Sequence, residues 1–196
     1  ALTRQDENAP VVDRKAAGLT GTLPGAAGRH AGERVRGILA CGGRAMDDAN
    51  EWAQKLAGRG CPVCAAVPEA EDPTWLLTLP SGRVLLQDDG GFPGYCILYF
   101  RRHVTELFEL TSAEQGQLIE DLSRLARAVD RACRPAKLNY ACRGNQVPHL
   151  HWHIVPRYPT DGWWGQAFTA RPPDERRAMN SREYTRLLQS LRAVLR

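Results

Sequence analysis

Four of the five histidines are His103, His149, His151 and His153, and the last three alternate with apolar residues in Pro148-His149-Leu150-His151-Trp152-His153-Ile154-Val155. Successive side chains of a strand point to opposite faces, so residues two apart share a face at roughly 6.6 Å spacing. The pattern predicts a strand over residues 150–155 that turns Leu150, Trp152 and Ile154 into a core and the three imidazoles away from it. Imidazole titrates near neutrality and is nucleophilic. From spacing alone three readings stay open: a solvated edge face, a catalytic zinc centre whose His-x-His pair converges on one ion, and a nucleophilic histidine between two supporting ones.

Cysteine is the other ligating residue type. The chain has Cys41, Cys61, Cys64, Cys96, Cys133 and Cys142. Cys61-Pro62-Val63-Cys64 reads as a tight knuckle with two thiolates, short of two further ligands for a tetrahedral ion. In a cytosolic chain, metal binding or buried thiols are expected rather than a disulfide framework. Cys96 and Cys142 fall within strand patterns and read as core residues.

The elements that must carry these groups follow from periodicity. A short helix is expected over residues 47–58, with acidic residues first and Gly58 and Gly60 at its end. Strands are expected over 75–79 and 83–87, joined by Pro80-Ser81-Gly82, and over 95–100 after Gly90-Gly91-Phe92-Pro93-Gly94. Thr111 and Glu114 have capping-box spacing, and Leu118, Ile119, Leu122, Leu125 and Val129 recur on one face of a long helix. A strand over 137–142 precedes the histidine strand. A last helix starts near Ser181 and buries Leu187, Leu188, Leu191 and Leu195. This order predicts the α+β class with an antiparallel sheet.

Bulk properties narrow the function classes. The chain has 196 residues, 43% hydrophobic and 24% charged, which suits one globular domain with extensions. Residues 1–45 hold seven Arg or Lys against four Asp or Glu within a net charge of +4, too weak and diffuse an excess to argue for nucleic acid. That arm is rich in Ala, Gly and Arg, lacks an apolar period and is expected to be disordered. Met46, ahead of Asp47-Asp48, is a candidate alternative start. No apolar run approaches the roughly 18 residues of a membrane span, and no leader pattern is evident, so the chain reads as cytoplasmic.

The run from His149 to Val155 resembles the histidine-triad (HIT) signature, and Pro156-Arg157-Tyr158 is similar to bacterial diadenosine-polyphosphate-type hydrolases of that family. The resemblance extends through Phe92-Pro93-Gly94-Tyr95, Arg102-His103-Val104-Thr105-Glu106-Leu107 and Gly144-Asn145-Gln146-Val147, over roughly residues 47–165. It implies a HIT-like fold of about five antiparallel strands with a long helix, and a domain over 46–196 ending in a C-terminal helical extension.

The resemblance also implies a mechanism. His151 is the expected nucleophile at the α-phosphate, with its Nδ1 proton held by the backbone carbonyl of His149. His153 is expected to donate hydrogen bonds to phosphate oxygens, and Trp152 to be core. Gln87 stands where relatives carry Asn or Asp on the ribose, with a strand-end surface residue as the alternative. Asn145 stands where relatives place an amide near the phosphates, with Gln146 or Asn139 as alternatives. Trp163-Trp164 could line the leaving-group side, help a dimer or pack as a flap. Some branches bind structural zinc at positions matching Cys61, Cys64, His103 and His149. Relatives pair through the long helix and adjacent strand, which implies a homodimer. The activity implied is hydrolysis of a dinucleoside polyphosphate or nucleoside phosphoramidate. Nucleotidyl transfer and a low-turnover nucleotide-binding protein are the alternatives. His153, where galactose-type transferases have glutamine, favours hydrolysis.

Overall fold

A computed structural model describes residues 49–66 and 71–195, so the expected arm over residues 1–45 and Met46 lie outside the described residues. In chain order the elements are α1 (Ala49–Leu56), β1 (Trp75–Leu79), β2 (Gly82–Leu86), β3 (Cys96–Phe100), α2 (Ser112–Cys133), β4 (Lys137–Cys142), β5 (His151–Arg157) and α3 (Ser181–Leu195), with short 3₁₀ turns between. The five strands form one sheet in the order β1-β2-β3-β5-β4, and every neighbouring pair is antiparallel. This is the expected α+β architecture. No helix among the described residues is long and apolar enough to cross a membrane.

Strict alternation separates the two faces of the sheet. Val84 and Leu86 of β2, Cys96, Leu98 and Phe100 of β3, and Ile154 of β5 join the core, with Trp152 packed against it. Leu118, Leu125 and Val129 of α2 and Leu191 and Leu195 of α3 complete that core. Each fully buried Leu or Val contributes roughly 1.5–3 kcal/mol relative to an exposed one. Arg83 and Leu85 of β2, Ile97 and Tyr99 of β3, and His151 and His153 of β5 alternate with these and line the site described below.

The long helix starts as its capping box requires. The Thr111 side chain accepts from the Glu114 N–H, and the Glu114 carboxylate accepts from the Thr111 N–H. Glu114 also pairs with Arg101 and Arg102, which follow β3. Ile119 departs from expectation, being 55% exposed. The buried face of α2 includes Asp121, whose carboxylate accepts from the Ser81 N–H at 2.8 Å in the β1–β2 turn. Seating Asp121 inside rotates the stripe, and Ile119, about 100° round from Leu118, falls outside it.

Three smaller expectations are corrected. Cys142 is exposed, because β4 is an edge strand and Cys142 lies near its end. β5 begins at His151 rather than at residue 150: Leu150 donates its N–H to Val104 at 2.7 Å and accepts from Phe100 at 3.0 Å, outside the regular ladder. Leu187 and Leu188 are only half-buried, at the rim of the α3 contact.

Candidate active site and metal cluster

Two rungs of the sheet form the floor of a cavity of about 400 Å³. Arg83, Tyr99 and His151 pair across β2, β3 and β5 in one rung, and Leu85, Ile97 and His153 in the next. All six line the cavity, as do Gln87 just past β2 and Tyr95 just before β3. One wall is the β4–β5 loop, with Arg143, Asn145 and Gln146, and another is the C-terminal segment, with Phe168 and Arg176. Three guanidinium groups and no carboxylate line it among the described residues.

His151 is 8% exposed. Its Nδ1 lies 2.5 Å from the His149 carbonyl oxygen. A carbonyl can only accept, so Nδ1 carries the proton and Nε2 keeps its lone pair. The ring stacks on Tyr99 at 5.3 Å and meets His153 edge-on at 4.9 Å. Burial lowers its pKa below the ordinary imidazole value and the Arg143 charge adds to this, against the opposing hydrogen bond to His149. His153 is pushed down to about 4, chiefly by burial and then by His151 and Arg143. Its Nδ1 lies 2.6 Å from the Tyr95 hydroxyl, and Phe168 packs 5.7 Å away.

Gln87 is half-buried, with its backbone N–H donating to the Tyr95 carbonyl at 2.8 Å. Asn145 and Gln146 both reach the cavity, whereas Asn139 accepts from Arg157 at 2.9 Å and does not line it. Trp163 and Trp164 do not line it either. The Trp163 carbonyl accepts from Arg157, and Trp164 is 49% exposed. Arg157 is buried and also binds Asp161 at 2.7 Å and the Gln166 carbonyl at 2.8 Å, folding the chain after β5 back along the sheet. That fold-back brings Phe168 and Arg176 to the site.

Sequence reasoning missed Tyr95, Tyr99, Arg83, Arg143, Phe168 and Arg176. Arg83 was within reach, since it alternates with Leu85 and Gln87 on one strand face. Arg176 carries no such signal, because its segment has no period.

A second cluster adjoins the first. Cys61 Sγ, Cys64 Sγ, His103 Nδ1 and His149 Nδ1 all lie within 4.8 Å of one another, and could hold a metal ion. His149 Nδ1 is 3.6 Å from each sulfur, and His103 Nδ1 is 3.6 Å from Cys64. The other nitrogen of each ring is committed: His149 Nε2–H donates to the Phe100 carbonyl at 2.7 Å and His103 Nε2–H to that of Leu56 at 3.1 Å. Both Nδ1 lone pairs are thereby freed to converge on one point, as ligand histidines require. The Arg83 guanidinium donates to the Val63 carbonyl at 2.8 Å, tying the knuckle to the cavity floor.

Comparisons with known proteins bear on the family and the fold. Residues 71–160 match the family model described as the HIT domain. Over 75 residues the chain is 31% identical to the AP-4-A phosphorylase of Mycobacterium tuberculosis, a match covering 35% of this chain and 38% of that protein. The chain thus spans well under half the length of that curated relative. A histidine triad protein from Bradyrhizobium japonicum superposes with a TM-score of 0.59 at 28% identity, covering 67% of this chain and 98% of the other. A second, from Marinobacter aquaeolei VT8, gives 0.57 at 26% identity, covering 66% and 95%. Residues 71–160 thus match the HIT domain, and the fold they build is shared with these two histidine triad proteins.

Proposed function

We propose that this protein hydrolyses a nucleotide at its α-phosphate through a covalent nucleotidyl-histidine on His151, with a dinucleoside polyphosphate or nucleoside phosphoramidate as substrate. The observation that carries the reading is the 2.5 Å contact between His151 Nδ1 and the His149 carbonyl, which leaves Nε2 bare on a ring that lines the cavity. The Nε2 lone pair forms a bond to phosphorus while the bond from phosphorus to the leaving group breaks, and the leaving group takes that electron pair. Water then bonds to phosphorus, the N–P bond returns its pair to Nε2, and a nucleoside monophosphate departs with one proton released. Splitting one displacement into two is the general advantage of covalent catalysis. His153 donates to the phosphate oxygens as charge develops, and Arg83, Arg143 and Arg176 supply fixed positive charge. Gln87 contacts the ribose, and Asn145 the phosphates.

The same intermediate can be passed to inorganic phosphate, which yields a nucleoside diphosphate. The similarity to a protein named AP-4-A phosphorylase favours this second reading. Product analysis with and without added phosphate separates the two.

The cysteine–histidine cluster fits zinc by its donor set. A tetrahedral zinc, with bonds of about 2.3 Å to sulfur and about 2.05 Å to nitrogen, spaces each sulfur about 3.6 Å from each nitrogen. Two cysteines and two histidines close such a site without an open position, so zinc would be structural and would brace His149. The edge strand β4 exposes Tyr140 and α2 exposes Ile119, which supports pairing of two copies through those elements.

The test is to quench the protein after brief exposure to labelled dinucleoside tetraphosphate and map the label. An acid-labile phosphoramidate on His151, absent from His151→Ala along with turnover, is the expected result. Undiminished turnover in His151→Ala would refute the assignment.

A further inference from the structure

We propose that Tyr95 is a positioning residue that fixes the tautomer of His153, so that the two neighbouring histidines present Nε2 to the same phosphate in opposite states, one bare and one protonated. The inference rests on the reaction proposed above for its catalytic consequence, but not for its structural content.

Tyr95 is held in place before its side chain does anything. Gly94 adopts φ of 92°, a left-handed conformation that suits glycine, and turns the chain into β3. The Tyr95 N–H donates to the Phe92 carbonyl at 3.0 Å and its carbonyl accepts from Gln87 at 2.8 Å. The ring is met edge-on by Phe168 at 5.8 Å, and Phe168 also packs on His153. With backbone and ring fixed, the hydroxyl sits 2.6 Å from His153 Nδ1.

One proton lies between those two atoms, and chemistry decides its owner. A phenol is the better donor and a neutral imidazole nitrogen the better acceptor. Burial raises the Tyr95 pKa and so keeps the hydroxyl protonated. The hydroxyl therefore donates and Nδ1 accepts. Neutral His153 must then carry its single proton on Nε2, as a donor. His151, 4.9 Å away, is set the opposite way by the His149 carbonyl, with its proton on Nδ1 and Nε2 bare. A lone pair to attack and an N–H to stabilise the developing charge are thus assigned to adjacent rings by two different acceptor–donor partners. Replacing the hydroxyl with hydrogen leaves the ring packing but frees His153 to rotate and exchange tautomers.

The test uses full-length protein with ¹⁵N-labelled histidine, with Tyr95→Phe as the variant. In the wild type, the ¹⁵N spectrum is expected to give His153 an unprotonated Nδ1 and a protonated Nε2. In Tyr95→Phe the two nitrogen shifts should move towards an average, with kcat down roughly tenfold and KM within about twofold, the effect of one hydrogen bond made in the transition state. A protonated Nδ1 on wild-type His153 overturns the proposal even if Tyr95→Phe fails to fold. So does a Tyr95→Phe enzyme that retains full kcat while labelled substrate still traps on His151. If nothing traps on the wild type while Nδ1 is unprotonated, the proposed reaction fails and the tautomer assignment stands.

Discussion

His149 contributes two different parts of itself to two sites: its ring joins Cys61 and Cys64 at 3.6 Å, and its carbonyl oxygen lies 2.5 Å from His151 Nδ1. The cysteine–histidine cluster and the candidate nucleophile are therefore mechanically linked through a single residue. With Nε2 tied to the Phe100 carbonyl, an ion on Nδ1 would clamp the ring at both ends and so hold the peptide that orients His151.

Disrupting this cluster should consequently reach the chemistry without touching the cavity. One zinc per chain is expected by elemental analysis. Cys61→Ala should lose it, lower Tm by about 5–10 °C and slow turnover about tenfold, because the His149 ring, whose carbonyl orients His151, is then held at one end only. Matched melting curves and rates for wild type and Cys61→Ala would dispose of this link if they coincide.

Much of this site was legible because period-two alternation is a local signal. Alternating histidines located β5, and Thr111 with Glu114 located the start of α2. The cysteine knuckle needed the family resemblance to find its two histidines, since Cys61 and His149 are 88 positions apart. Tyr95 was illegible for a related reason: its contact with His153 exists only once β3 and β5 pair with Ile97 opposite His153. Ile119 misled because its apolar character matched the stripe, while the polar Asp121 that displaces it gave no sign of being buried. Cys142 misled because a strand pattern does not reveal which strand is an edge.

The wall carrying Phe168 and Arg176 depends on a buried ion pair. Arg171 pairs with Asp89, and its guanidinium lies 4.5 Å from the centre of the Phe92 ring, which the Arg157 guanidinium also meets at 5.3 Å. Asp89 also accepts from the Gly91 N–H at 2.9 Å. Asp89→Asn leaves a buried guanidinium without its counter-charge, and breaking such a pair costs about 3–5 kcal/mol. The double variant Asp89→Leu with Arg171→Met removes both charges and should cost less than the single one. Denaturant unfolding of both variants checks the order. In assays well below the melting transition, Asp89→Asn should raise KM more than it lowers kcat, because it loosens a wall and leaves His151 in place. An Asp89→Asn loss under about 1 kcal/mol would mean that the pair does not anchor this segment.

The neutral state of His153 makes its own contribution to the pH dependence of stability. Its pKa is about 4 in the folded protein, while an unfolded histidine titrates near 6.5. Between those values the unfolded chain binds the extra proton and the folded chain does not, so stability rises with pH across this window. Run in the other direction, acidification from about 6.5 should progressively destabilise the fold, and the penalty should level off below about 4. Protonation of metal ligands would superimpose a second acid transition, so the informative quantity is a difference. His153→Gln keeps a polar side chain of similar reach and cannot titrate. The gap in Tm between His153→Gln and wild type should therefore shift in favour of the variant as pH falls from 7 to 4.5. Parallel curves over that interval would show that His153 titrates alike in both states, and hence that burial does not hold it neutral.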